Sequence, residues 1–133
     1  MNKVVISTTN APAAVGPYSQ ATKFDQLIFV SGQLPIDLQN GEIVKGGMEA
    51  QTRQALKNLN EVLLAAGASL ATVLKSTIFI KNMNDFARIN DIYSEFFSTD
   101  PPARSSVEVS KLPKDALIEI EAVAHLNLFP TYS

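Results

Sequence analysis

Apolar and polar positions follow two different periods along this chain. Val4-Val5-Ile6, Ala21 to Phe24 and Leu27 to Ser31 are short runs of strand-forming residues. The second and third close around Asp25-Gln26 as a hairpin. Leu27, Ile28, Phe29 and Val30 are apolar at every position, which predicts a strand buried on both faces. After Gly46-Gly47 the period changes. Met48, Thr52, Ala55, Leu59, Val62 and Ala66 recur at three- and four-residue steps, Leu56 and Leu63 widen the stripe, and Gly67 supplies a stop. That spacing predicts a helix of about 19 residues, with one further turn at Ser69 to Thr72. Val73 to Ile80 reads as a strand with Lys75 and Thr77 on one face. Asn82 or Asn84 caps a second helix whose core stripe is Phe86, Ile89, Tyr93 and Phe96, with Asn90 beside it. Asp100-Pro-Pro ends the helical region.

The last two β-like runs, Pro101 to Val109 and Ala116 to Ala124, flank a polar connector containing Pro113. This is the pattern of an antiparallel pair with a medium loop. Alternation puts Arg104, Ser106 and Glu108 on one face of the first run, and Ser105, Val107 and Val109 on the other. In the second run Ile118, Ile120, Ala122 and Ala124 face one way, and Leu117, Glu119, Glu121 and Val123 the other. If the apolar faces match, Arg104 and Ser106 share a side with Glu119 and Glu121. Spacing alone also fits a solvated face with a cross-strand Arg–Glu pair, a contact contributing roughly 0.2–1 kcal/mol.

The order of three strands, helix, strand, helix and two strands predicts an α+β fold in one domain over residues 1–133. Both helices should lie on one face of a mixed sheet. The other face then has no cover from its own chain, although the third strand is apolar on both sides, so the pattern calls for other subunits.

Composition removes several functions. The 133 residues are 46% hydrophobic with a formal charge of −2, which gives no basic footprint for nucleic acid or an anionic membrane. There is no cysteine, hence no disulfide or thiolate chemistry. No secretory signal or membrane-spanning run is present, so the cytoplasm is the expected compartment. His125 is the only histidine and lies in an apolar run, where a structural role is expected. No metal-ligand spacing, Gly-x-Ser-x-Gly elbow or phosphate-binding glycine loop occurs. What remains is Arg104 with carboxylates, hydroxyls and backbone amides, a set suited to binding a small carboxylate and managing water.

Three segments add a resemblance. Asn10 to Ala21 (Asn-Ala-Pro-Ala-Ala-Val-Gly-Pro-Tyr-Ser-Gln-Ala), Val30 to Pro35 (Val-Ser-Gly-Gln-Leu-Pro), and Pro102 to Ala124, which contains Pro-Ala-Arg-Ser-Ser-Val-Glu-Val and Ile-Glu-Ile-Glu-Ala-Val-Ala, resemble the reactive intermediate deaminase family (RidA, or YjgF) in order along nearly the whole chain. The resemblance implies a chorismate-mutase-like fold and a homotrimer around a central β-barrel, with ligand sites in clefts between subunits. It implies hydrolysis of enamine and imine intermediates, 2-aminoacrylate/2-iminopropanoate and 2-iminobutanoate, to 2-keto acids and ammonia, with neither metal nor other cofactor. By the same resemblance Arg104 binds the substrate carboxylate, Glu119 handles water and Tyr18 joins them as a catalytic pocket residue. Ser31, Gly32, Asn90 and Ser106 complete the substrate-binding positions. Ser106 replaces a cysteine found in many members, at a position that mainly offers backbone groups. A non-catalytic regulator that binds small carboxylates in the same cleft is the principal alternative. A translation-inhibiting ribonuclease, described for some relatives, fits the acidic balance poorly.

Overall fold

The computed structural model describes residues 2–127. Strand β2 (Ala21–Phe24) turns into β3 (Leu27–Gln33) through Asp25, which takes a left-handed φ of 57°, and β1 (Val4–Ile6) pairs antiparallel with β2. Helix α1 (Gly47–Ala66) ends at Gly67, whose φ of 87° lets its N–H turn back to the carbonyls of Leu63 and Leu64. A short 3₁₀ turn, Leu70–Thr72, leads into β4 (Val73–Ile80). The Asn82 side chain accepts from the Asn84 N–H in the turn before α2 (Phe86–Phe96). β5 (Ala103–Glu108) and β6 (Ile118–His125) follow. The expected element order holds.

The six strands form one sheet in the order β1-β2-β3-β6-β4-β5. β6 runs antiparallel to both β3 and β4, while β4 and β5 are parallel. This corrects the expected pairing of the last two strands: β4 lies between them. A parallel neighbour needs a crossover, and α2 supplies one between β4 and β5. The polar connector then carries the chain past the end of β4, held where Val109 N–H reaches the Ile80 carbonyl and Lys81 N–H the Leu117 carbonyl.

Both helices cover the same face of the sheet. Leu56, Leu59, Val62 and Leu63 of α1 and Ile89 and Ile92 of α2 pack on Ile28, Val30, Ile78, Ile80, Ile118 and Ile120, all buried. Burying each such side chain stabilises the fold by about 1.5–3 kcal/mol. Two buried polar groups on α1 fasten loops to this core. Asn58 donates to the carbonyls of Leu34 and Ile36, and Gln51 accepts from the Leu117 N–H, while the buried Thr52 hydroxyl donates to the Met48 carbonyl within the helix.

The opposite face is open. Leu27 and Phe29 are 40% and 46% exposed, so the expectation that β3 is buried on both faces is not met within one chain. Val5, Phe24 and Val107 lie exposed on the same side. His125, paired in register with Leu27, also stands there, with Nδ1 2.7 Å from the Leu126 carbonyl oxygen. The surface is apolar across several strands, a property that marks an interaction face.

Candidate functional site

The predicted residues fall into two groups. The first gathers around a bulge in β3. Between the pairs Val30–Ala122 and Gln33–Ile120 the register shifts, so Ser31 and Gly32 together oppose one residue of β6. The Ser31 hydroxyl donates to the Ser19 carbonyl at 2.6 Å, and the Ser31 N–H to that of Gln20 at 3.0 Å, which ties the bulge to the loop carrying Tyr18. Gln20 is buried beneath that loop. Its amide donates to the carbonyls of Thr8, Ala11 and Pro12 and accepts from the Thr8 N–H. One side chain thus supplies the partners that the backbone of an irregular segment needs.

Glu119 packs directly on Gly32. A Cβ placed on Gly32 would stand 1.9 Å from Glu119 Oε2 and 2.8 Å from its carboxyl carbon. Gly32 has no left-handed φ, so the requirement here is for space. Burial first, and then the charge of Glu121, push the Glu119 carboxyl above its ordinary value. Tyr18 completes the group. The residue is 49% exposed and its hydroxyl accepts from the Val15 N–H at 3.3 Å. Tyr18 lines two clefts, one of about 830 Å³ with Gly32 and Lys114, the other of about 380 Å³ with Ser31 and Phe29.

The second group lies on the helix side of the sheet. Arg104 and Ser106 pair in register with Ser76 and Ile78, both buried under the helices. The Arg104 guanidinium lies over the rings of Tyr93, 4.9 Å from the centroid, and Phe86, 5.5 Å away. Asn90 falls between those rings on α2. Asn90 Oδ1 and Ser106 Oγ are buried without a hydrogen-bond partner, which marks them as groups waiting for one.

The two groups therefore do not meet in one chain, against the expectation that Arg104, Ser106, Glu119 and Glu121 share a face. Glu119 and Glu121 pair with Phe79 and Thr77, on the open side. The expectation rested on matching Val107 to the core. β5 is an edge strand, and it turns Val107 outward while α2 covers Arg104. Sequence reasoning also assigned Phe86 and Tyr93 to the core stripe alone. Their spacing around Asn90, four and three residues, was the available signal that the three share one helical face. Among the described residues no group of three or more histidine, cysteine, aspartate or glutamate side chains could hold a metal ion, and no helix is long and apolar enough to cross a membrane.

The fold itself recurs in solved structures of known proteins. The family described as Endoribonuclease L-PSP matches residues 8–126, and the chain belongs to this family, the YjgF/RidA family. It is 56% identical over 123 residues to a RutC family protein of Pyrococcus horikoshii, covering 92% of this chain and 98% of that one. It is 48% identical over 120 residues to the 2-iminobutanoate/2-iminopropanoate deaminase of Mus musculus, covering 90% and 89%. The crystal structure of E. coli TdcF with bound serine superposes with a TM-score of 0.88 at 42% identity, covering 92% of this chain and 98% of that one.

Proposed function

We propose that this protein is a cytoplasmic deaminase that hydrolyses 2-iminopropanoate, 2-iminobutanoate and their enamine tautomers. The observation that carries the reading is the carboxyl of Glu119, seated on Gly32 and held above its ordinary pKa by burial. Burial disfavours the charged form, so this carboxyl holds a proton more readily than a free glutamate and suits an acid–base role. The deaminase name of the murine relative supports the same activity.

In this reading the two halves come together between subunits of a homotrimer. The open sheet faces form a central barrel, and the Glu119 half of one chain meets the Arg104 half of the next. The exposed Leu27 and Phe29 and the unpartnered atoms of Asn90 and Ser106 support such an assembly. Arg104 holds the substrate carboxylate through its planar fork. An enamine first moves one proton from nitrogen to its β-carbon, giving the imine. Glu119 gives its proton to the imine nitrogen as water adds to C2, then takes the proton that water releases. Glu119 then gives its proton to the amino nitrogen and takes the hydroxyl proton as the C–N bond breaks, so nitrogen leaves as ammonia and the added oxygen becomes the carbonyl of the 2-keto acid. Tyr18 borders the cleft and helps to place the water, while the backbone of Ser31, Gly32 and Ser106 lines the substrate.

A second reading, a non-catalytic sensor of small carboxylates, is favoured by the serine bound to TdcF. The family's ribonuclease name would favour nuclease activity, but a net charge of −2 offers no electrostatic footprint for RNA. One assay separates these readings. A pyridoxal-phosphate-dependent dehydratase generates 2-aminoacrylate, and keto-acid release is followed with and without the protein. Acceleration by wild type but not by Glu119→Gln, with 2-ketobutyrate binding to both, is the deaminase result. Binding without acceleration by wild type is the sensor result and overturns the proposal.

A further inference from the structure

Among the described residues no carboxylate pairs with the Arg104 guanidinium. The ion pairs among the described residues, Arg53–Glu95 and Arg88–Glu49, join the two helices and leave Arg104 aside. What holds its guanidinium is the pair of rings on α2, Tyr93 and Phe86. Seven residues separate them, about two helical turns, so they form a single stripe. Tyr93 is itself fixed from behind. It is only 5% exposed, and its hydroxyl lies 2.6 Å from that of Ser76, which is fully buried in β4. Ser76 in turn pairs in register with Arg104. Strand, helix and arginine thus form a closed loop of contacts.

The choice of partner matters. A carboxylate could hold the arginine as firmly, but it would occupy the N–H donors and cancel the charge, and an incoming anion would have to displace it. Ring faces attract a cation through their quadrupole and leave the in-plane N–H groups unused. The neighbouring Asn90 Oδ1 and Ser106 Oγ are buried without a hydrogen-bond partner, so polar atoms gather on one side of this half-site and aromatic rings on the other.

We infer that Phe86 and Tyr93, with Ser76 behind them, form an aromatic bracket that presets the Arg104 fork for a substrate carboxylate. They are positioning residues for binding as well as part of the core. The inference rests on the carboxylate-clamp reading of Arg104, and it explains how the fold keeps that arginine oriented yet uncompensated.

Tyr93→Phe, Tyr93→Leu, Phe86→Leu and Arg104→Ala separate the bracket from simple packing when 2-ketobutyrate is titrated calorimetrically into each folded variant beside its thermal unfolding midpoint. Tyr93→Phe keeps the ring and leaves the Ser76 hydroxyl without its partner, so its midpoint falls while affinity stays within about threefold of wild type. Phe86→Leu and Tyr93→Leu remove a ring face, so affinity falls about tenfold or more, out of proportion to any change in midpoint. The Arg104 Nε–H proton resonance should lie upfield of its free position in wild type and in Tyr93→Phe, and move toward that position in the two ring-deletion variants. Two results overturn the bracket: ring-deletion variants that bind within twofold of wild type, or affinity that tracks stability across the set. If Arg104→Ala alone abolishes binding, only the bracket fails. If Arg104→Ala also binds normally, the clamp itself fails.

Discussion

Arg104 and Glu119 stand on opposite faces of one sheet, two strands apart, with Ser76 beside the first and Phe79 beside the second on the intervening β4. The cation and the carboxyl that the proposed reaction needs are thus kept from neutralising each other within a chain. Among the described residues no ion pair involves Arg104, and the Glu119 carboxyl is held above its ordinary pKa.

Arg104→Ala should abolish 2-ketobutyrate binding and turnover together, because the bidentate contact is lost. Arg104→Lys keeps the charge and loses the planar fork, so it should recover little of either. Calorimetric titration and the coupled dehydratase assay measure the two effects. Near-normal binding in Arg104→Ala would end the clamp.

Glu119 also makes stability depend on pH. Its folded-state pKa lies above the reference of 4.5, so the folded chain favours the protonated form. The native state is therefore relatively best supported below that reference, and this support is lost as pH rises through the folded value. Glu119→Gln removes the penalty. It should unfold at higher temperature than wild type at pH 7, with the difference shrinking toward pH 4, while turnover falls. Equal midpoints at both pH values would mean that Glu119 is better solvated than its packing on Gly32 indicates.

Gly32→Ala tests the carboxyl seat itself. The backbone tolerates alanine, so the cost comes from the collision with Glu119 Oε2. The variant should lose turnover because Glu119 is displaced, whereas keto-acid binding through Arg104 should persist. A double-mutant cycle with Glu119→Ala should show that most of the destabilisation by Gly32→Ala disappears once the carboxyl is gone. Additive losses in unfolding midpoint would place the strain elsewhere.

The open face is the surface through which the proposed trimer would assemble. Light scattering should return the mass of a trimer at micromolar concentration. Phe29→Asp, which sets a charge among Leu27, Val123 and their copies, should shift the protein to monomers or unfold it. In either case the coupled assay should show no activity, since each proposed site needs two chains. An active Phe29→Asp monomer would overturn the shared site.

The sequence by itself determined the elements. The stripe from Met48 to Ala66 specified α1, Gly67 ended it, and Asp25-Gln26 closed the β2–β3 hairpin, because period and turn chemistry are local properties that act over a few residues. It also marked Leu27 to Val30 as apolar on both sides, a pattern that one layer of helices could not satisfy. The motifs around Tyr18, Ser31, Gly32 and Arg104 carried the family resemblance. Only the tertiary structure decided which strands became neighbours. The chain after Asp100 reads equally well as a hairpin, yet α2 had already supplied the crossover that sets β5 parallel to β4, leaving β6 to enter between β3 and β4. That placement fixed which way Arg104 faces, because an edge strand beneath a helix can turn a long cation toward aromatic rings and its valine toward the open face. Strand pairing and facing depend on contacts far apart in the chain, so alternation along a single run specifies two faces without saying which one meets the core.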